Sequence, residues 1–391
     1  MYRRVLSSLS YFKIQFGNWK IQWFNGGSNK MSCINLAFGE VHFPTPLVIC
    51  EAMAKSVMRG DLCYAAPQGE ENLLDMISSS IISEEKAICL SENIIIVPGA
   101  KQGIMYIFNL LRFQGKKVAI IEPTWRYYIE MLEYAGAEIF GVKYDEKFLQ
   151  RLKLIENLHT VIIINPNNPD GRIWGKLELN ELKGYCEQEN IYIICDEVYK
   201  DFVYTDGYCT FLEQNKVICQ NVIIIRSFSK SFAMSGARIG YIIADKRMIK
   251  RICRLQNMYI NNVPVFIQQG CIAGLLNKPK FQTQMKDYYY KNMMYMYNIL
   301  INTKHFMPIQ PNGGLCMLVD VSTWADSVEK AYRFLYTKGI LCSGVLNYTD
   351  EISKKCIRLS FCHERSVIKE AMRIIVNIDK LLMESNSGND L

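Results

Sequence analysis

Histidine is scarce in this 391-residue chain, with only four residues, at positions 42, 159, 305 and 363. Cysteine is not scarce, at 14 residues, but no two cysteines form a C-x-x-C pair. Without those spacings a structural zinc site has no framework, and no metal is expected. No apolar run approaches the roughly 18 residues that cross a bilayer, so no membrane partner is expected. Several cysteines, among them Cys89, Cys195, Cys219 and Cys316, lie inside apolar runs, where a free thiol behaves as a small hydrophobe. That usage fits a reducing compartment, and the cytoplasm is the expected location. Internal repeats and low-complexity blocks are also missing.

Acidic residues are absent from the first 39 positions, which hold Arg3, Arg4, Lys13, Lys20 and Lys30. These five cations account for most of the net charge of +7, leaving +2 for everything after. A general basic surface is thereby excluded, and no nucleic-acid partner is expected. Within residues 1–30, Phe12, Ile14 and Phe16 alternate with polar residues, as do Trp19, Ile21 and Trp23, across Gly17-Asn18. This pattern predicts an N-terminal arm folded as a β-hairpin. An acid-free basic start also fits an organellar transit peptide, and the hairpin is the preferred reading.

What remains is an ordinary globular composition, 50% hydrophobic and 21% charged, long enough for one large domain and a smaller one. Apolar strands at 94–97, 118–121, 161–164, 191–195 and 222–226 alternate with helical stretches. This predicts an α/β fold with a mostly parallel, doubly wound sheet. From about Tyr288 the chain reads as helical, then as shorter strands near 315–319 and 356–361, a last helix over about 365–383, and a solvated tail from Ser385. Residues 47–287 are assigned to the large domain, and 31–46 with 288–391 to a smaller α+β domain.

The chemistry-bearing residues fall at strand ends, where ligands bind in such sheets. After Val222-Ile223-Ile224-Ile225 come Ser227-Phe228-Ser229-Lys230, then Gly236, Arg238 and Gly240. A partly desolvated lysine loses its proton readily and can form a Schiff base with an aldehyde. Arg238, helped by the Ser227 and Ser229 hydroxyls, offers a planar fork of donors to a phosphate. A lysine beside a phosphate cradle suggests pyridoxal 5'-phosphate. Upstream, Asp196 and Tyr199 end the strand Ile191–Cys195. A buried carboxylate there calls for a cationic partner, which a protonated pyridine nitrogen would supply. The strand Val161–Ile164 ends in Asn165-Pro166-Asn167-Asn168-Pro169-Asp170-Gly171, a turn that presents Asn168.

These motifs occur in the order found in the class I/II aminotransferase family, fold-type I pyridoxal-phosphate enzymes, which the chain resembles from about Ile34 to about Leu382. Ile34–Glu40 with Pro44-Thr45-Pro46 is similar to the family's opening segment. Pro98-Gly99-Ala100-Lys101-Gln102 resembles its phosphate-cup turn, and Glu122-Pro123-Thr124-Trp125 the segment whose ring stacks on the cofactor. Cys356–Phe361 resembles the strand carrying the arginine for the substrate α-carboxylate. The resemblance implies an aspartate-aminotransferase-like large domain and transfer of an amino group between an amino acid and a 2-oxo acid. A lyase or decarboxylase acting on an amino acid through the same Schiff base is the alternative. Lys230, Asp196 and Tyr199 are the implied catalytic residues. Ala100, Lys101, Trp125, Asn168, Ser227, Ser229 and Arg238 are implied to hold the cofactor, and Arg358, Gly39 and Asn168 the substrate. Tyr64, before Gly69, resembles a loop that reaches into the neighbouring subunit, which implies a homodimer with shared active sites. Lys101 is the rival to Lys230 but lacks flanking hydroxyls and a downstream arginine. Gln256 stands where dicarboxylate-specialised members carry an arginine, which weighs against an aspartate-type substrate.

Overall fold

The apolar runs of the sequence become the middle of a seven-stranded sheet. A computed structural model describes residues 33–213, 218–344 and 353–387, so the expected N-terminal hairpin lies outside the described residues. In chain order the first elements are β1 (Ile34–Asn35), α1 (Leu47–Arg59), α2 (Glu71–Glu85), β2 (Ile94–Val97), α3 (Ala100–Leu111), β3 (Lys117–Glu122), α4 (Tyr127–Tyr134) and β4 (Glu138–Lys143). Then come α5 (Phe148–Lys153), β5 (Leu158–Ile164), α6 (Lys176–Gln188), β6 (Tyr192–Asp196), β7 (Val222–Ser227), α7 (Phe228–Ser231), β8 (Gly240–Ile243), α8 (Lys246–Tyr259) and α9 (Val265–Leu300). The chain closes with β9 (Met307–Ile309), β10 (Cys316–Asp320), α10 (Val328–Thr337), β11 (Ile340–Leu341), β12 (Ser343–Gly344), β13 (Cys356–Ser360) and α11 (Arg365–Ser387).

The large sheet runs β2-β8-β7-β6-β5-β3-β4. Strands β3 to β7 are parallel to their neighbours within that group, while β8 is antiparallel to both β2 and β7. Side chains alternate between faces along a strand, and here both faces are buried. Ile94, Ile96, Ile121, Val161, Ile163, Ile193 and Ile224 belong to one apolar cluster. Their chain neighbours Ile95, Val97, Ile120, Ile162, Ile164, Ile194 and Ile223 belong to another. Continuous runs of Ile and Val are what a two-faced burial demands, each such side chain contributing about 1.5–3 kcal/mol. A third cluster joins Leu36 and Val41 to Met285, Met293, Met317 and Val319, and to Ile368 and Ile375. It lies under the antiparallel sheet β12-β13-β10-β9.

Three expectations are corrected. Helix α9 begins at Val265 rather than near Tyr288 and contains Pro279. Proline removes one backbone donor and interrupts the helical signal, yet packing on α1 and α2 carries the helix through. Strands β4 and β8 add to the five strands expected; their sequence signal is weak because β4 is only partly buried and β8 has just four residues. Helix α11 runs to Ser387, so the first residues of the expected tail are helical.

Candidate active site

Parallel β5, β6 and β7 bring their carboxyl ends side by side, and the loops after them converge. Asp196 ends β6 in a buried position. Its carboxylate accepts from the Val198 N–H at 3.1 Å and from the Tyr128 hydroxyl at 3.0 Å. Both donors are neutral, and no cation pairs with Asp196 among the described residues. Burial therefore dominates and pushes its pKa up to about 6, against the pull of those two hydrogen bonds. Burial likewise raises the Tyr199 phenol, with the Cys316 thiol adding to the rise and Arg358 opposing it.

Lys230 sits in the single turn α7 that follows β7. Ser227 caps that turn, its hydroxyl accepting from the Ser229 N–H at 3.1 Å. The cap aims the Lys230 side chain across to the strap of residues 36–40 that follows β1, where Nζ donates to the Gly39 carbonyl at 2.5 Å. Arg358, on β13, reaches the same strap. Its Nη2 donates to the Ala37 carbonyl at 2.6 Å and its Nη1 to the Asn168 Oδ1 at 3.0 Å. The Arg358 Nε is buried with no partner, an orphaned donor in a site where an anion would satisfy it. Gly39 leaves space, since a Cβ there would lie 3.7 Å from the Tyr199 hydroxyl.

The turn expected to form the phosphate cup is built on Gly99, which has φ of +81° and opens α3. A side chain at Gly99 would collide with the Arg238 guanidinium, and one at Gly240 would come within 3.1 Å of the Ala100 nitrogen. Two glycines thus let an arginine fork and a helix N-terminus approach each other, a cradle suited to an anion. Arg238 is steadied by donating to the Ser235 carbonyl at 2.7 Å. Cradle, orphaned donor and buried unpaired carboxylate fit pyridoxal phosphate at its phosphate, substrate and ring-nitrogen ends.

Two sequence assignments change character. The Lys101 side chain lies over aromatic rings, Nζ being 5.0 Å from the Trp125 centroid and 3.9 Å from that of Tyr127. Gln256 is fully buried, and its amide donates to the carbonyls of Pro67 at 2.6 Å and Ile96 at 2.8 Å. It fastens the Tyr64 loop to β2. Tyr64 is 85% exposed, so its own subunit does not enclose it. Tyr128 was missed in the sequence; it lies in the first turn of α4, its ring centroid 5.8 Å from that of Trp125 in the loop before the helix. The Ala37 carbonyl was missed because a backbone acceptor has no sequence signal.

A lysine, a buried carboxylate and a phosphate cradle at the carboxyl ends of a parallel sheet define a pyridoxal-phosphate enzyme of the α/β class. The chain belongs to the aminotransferase class I and II family, whose model matches residues 31–375. A probable aspartate aminotransferase of Methanocaldococcus jannaschii is 28% identical over 357 residues, covering 88% of this chain and 93% of the relative. A probable aspartate/prephenate aminotransferase of Aquifex aeolicus is 29% identical over 322 residues, or 78% of this chain and 81% of the relative. Among solved structures, the Thermotoga maritima aspartate aminotransferase superposes with a TM-score of 0.80 at 25% identity, covering 88% of this chain and 92% of that one. The Thermus thermophilus aspartate aminotransferase with maleate gives 0.82 at 23% identity, covering 89% and 92%, a likeness of fold. The chain is accordingly a pyridoxal-phosphate-dependent aminotransferase, and that activity stands over the lyase or decarboxylase alternative. No helix of the described residues is long and apolar enough to cross a membrane.

Proposed function

We propose that this aminotransferase accepts an acidic amino acid, passes its amino group to a 2-oxo acid, and works as a homodimer with shared sites. The observation that carries the assignment of roles is the convergence of Lys230 and Arg358 on one strap, at the Gly39 and Ala37 carbonyls. Two cations held that close together suit a substrate whose α-carboxylate and α-amino carbon must be gripped at once. Arg358 takes the carboxylate as a two-donor fork, with Asn168 orienting the guanidinium. Lys230 Nζ takes the proton from the substrate Cα. Ala100, Lys101 by its backbone, Ser227, Ser229 and Arg238 hold the phosphate. Trp125 would cover the ring face of the cofactor, Tyr199 would meet its ring oxygen and Asp196 its ring nitrogen. When bound, the cofactor's protonated ring supplies the electron sink that stabilises negative charge at Cα. Residues 47–287 form the cofactor-binding part in this reading, and 31–46 with 288–391 the smaller part that carries Arg358.

The acidic substrate class rests on the Lys101 ammonium, which lies over the ring expected to cover the cofactor and is the cation offered to a second carboxylate in this reading. The names of the relatives agree with this choice. A screen of amino donors against 2-oxoglutarate tests the class, with aspartate and glutamate expected to lead. Lys101→Ala should lower kcat/KM for aspartate about fivefold to tenfold and leave a neutral amino donor within about twofold. Equal losses for both donors would remove Lys101 from side-chain recognition.

Exposed Leu62, Tyr64, Met258 and Tyr259 support the dimer. The Ala65 N–H donates to Asn262 Oδ1 at 3.1 Å, which places the Tyr64 loop beside the end of α8 and makes one apolar patch of the kind that marks an interface. Mixing Tyr64→Ala with Lys230→Ala subunits should then create one intact site per heterodimer and recover about a quarter of wild-type activity at random assortment. Failure to recover activity, with subunit exchange demonstrated, would mean that Tyr64 serves its own subunit or none.

A further inference from the structure

Behind the catalytic strand ends lies a buried ion network that the reaction itself does not use. Arg226, immediately before Ser227, is almost fully buried and spends its whole fork on two carboxylates. Its Nη1 and Nη2 meet the two oxygens of Glu85 at 2.6 and 2.7 Å. Its Nε and Nη2 meet Glu197 Oε2 at 2.9 and 2.6 Å. Glu197 immediately follows Asp196, and its other oxygen accepts from the Thr210 hydroxyl at 2.6 Å. Lys200, next to Tyr199, donates to Glu85 Oε1 at 2.8 Å. Asp196, Tyr199 and Ser227 therefore each have a chain neighbour in the network. Glu85, Glu197, Lys200 and Arg226 line, with Asp201, Lys278 and other neighbours, a pocket of about 20 Å³, room for about one water. Burial pushes the Glu85 carboxyl up, but Arg226 and Lys200 override it and hold its pKa at about 2.

The position of Arg226 relative to the backbone ladder is informative. The β6–β7 pairing ends at Asp196 opposite Ile225, and its last bond runs from the Glu197 N–H to the Ile225 carbonyl at 2.8 Å. Past that point no ladder bond joins the strand that carries Asp196 to the strand that leads to Lys230. The Arg226–Glu197 bridge takes over where the ladder stops. Stability alone does not explain it, because a buried ion pair seldom outperforms well-packed apolar side chains. A planar fork holding two carboxylates does fix direction as well as distance.

We infer that Arg226 is a positioning residue, setting the separation of Asp196 from Lys230 by clamping Glu197 and Glu85 from the far side of the sheet. The inference rests on the reading of Asp196 and Lys230 as the groups at the two ends of the cofactor ring. A lysine at position 226 keeps one charge but cannot serve two carboxylates with a rigid fork. Arg226→Lys is expected to fold and to keep KM for the amino donor within about twofold. Its kcat should fall about tenfold, since misplacement of catalytic groups by a fraction of an ångström costs this much or more. The pH midpoint of the absorbance change of the lysine-bound cofactor should move by about half a unit or more, and cofactor dissociation should become faster. Thr210→Val, which removes the hydroxyl bond to Glu197 and the longer bonds that hydroxyl accepts from Arg226 Nη2 and the Leu212 N–H, both at 3.4 Å, should shift kcat and midpoint in the same direction by about twofold and serves if Arg226→Lys does not fold.

Asp379→Asn is the control for lost stability. Asp379 is buried and pairs with His305 at 2.9 Å, among residues of the C-terminal layer. It should lower the melting temperature without moving the absorbance midpoint. If the folded Arg226→Lys and Thr210→Val variants behave as Asp379→Asn does, with kcat per bound cofactor and midpoint unmoved, Arg226 is structural and the inference is overturned. Borohydride labelling separates this from failure of the underlying reading. Wild type unlabelled at Lys230 fails that reading before any variant is compared, whereas label at Lys230 with unmoved variants fails only the clamp.

Discussion

Replacing Lys230 by alanine is expected to abolish covalent cofactor attachment and to slow turnover at least about 10³-fold, because in the proposed reading one side chain supplies both the nucleophile and the proton carrier. The protein should remain folded, since Lys230 is only partly buried and its bond to the strap is made to a backbone carbonyl, that of Gly39. A net loss of about 1 kcal/mol is the scale for such a bond. Borohydride reduction of the loaded wild type followed by peptide mapping should place the label at Lys230. The competing lysine is geometrically worse placed, its ammonium resting on the Trp125 and Tyr127 rings. Label at Lys101, or a Lys230→Ala protein that turns over near the wild-type rate, would overturn the assignment.

Asp196→Asn should separate function from stability in opposite directions. Turnover is expected to fall about 10²- to 10³-fold, the scale for losing a preorganised charge at a site where charge develops. Without cofactor the same variant should be more stable than wild type at neutral pH. Burial lifts the Asp196 carboxyl from 3.8 to about 6 in the folded protein. Between those values the folded state holds more protons than the unfolded state, so the unfolding free energy falls as pH rises. This group's contribution is complete below pH 3.8 and lost as pH passes 6, a difference of about 3 kcal/mol. Glu85, held at about 2, acts with the opposite sign at lower pH, so the informative quantity is variant minus wild type. Denaturant unfolding of the cofactor-free proteins at about pH 4 and about pH 7.5 should show Asp196→Asn ahead of wild type only at the higher pH. Equal stability of the two proteins at the higher pH would mean that Asp196 is already paired.

The apolar runs of five strands were legible because both faces of the sheet are buried, which leaves unbroken Ile and Val in the sequence. The strand-end motifs were legible for a related reason: a lysine, an aspartate or an asparagine directly after such a run stands out against it. Elements whose burial is partial or brief were not. The strand β4 has only one buried residue, β8 is four residues long, and α9 passes through Pro279. Their signals are supplied by neighbours that no local window contains.

The site divides along the same line. By itself the sequence determined which residues follow β5, β6 and β7, and hence Lys230, Asp196, Tyr199 and Asn168 as candidates with Arg238 eight residues past Lys230, because strand ends are local. Only the tertiary structure decided that Arg358 and Lys230 share a strap, that Tyr128 bonds Asp196, and that Gln256 is an internal fastener. These partners lie 321, 191, 68 and 160 residues apart along the chain, as Arg358 to Ala37, Lys230 to Gly39, Tyr128 to Asp196 and Gln256 to Ile96. A hydrogen bond requires donor and acceptor within about 3 Å, and for residues so distant in sequence that proximity is a property of the packed layers alone.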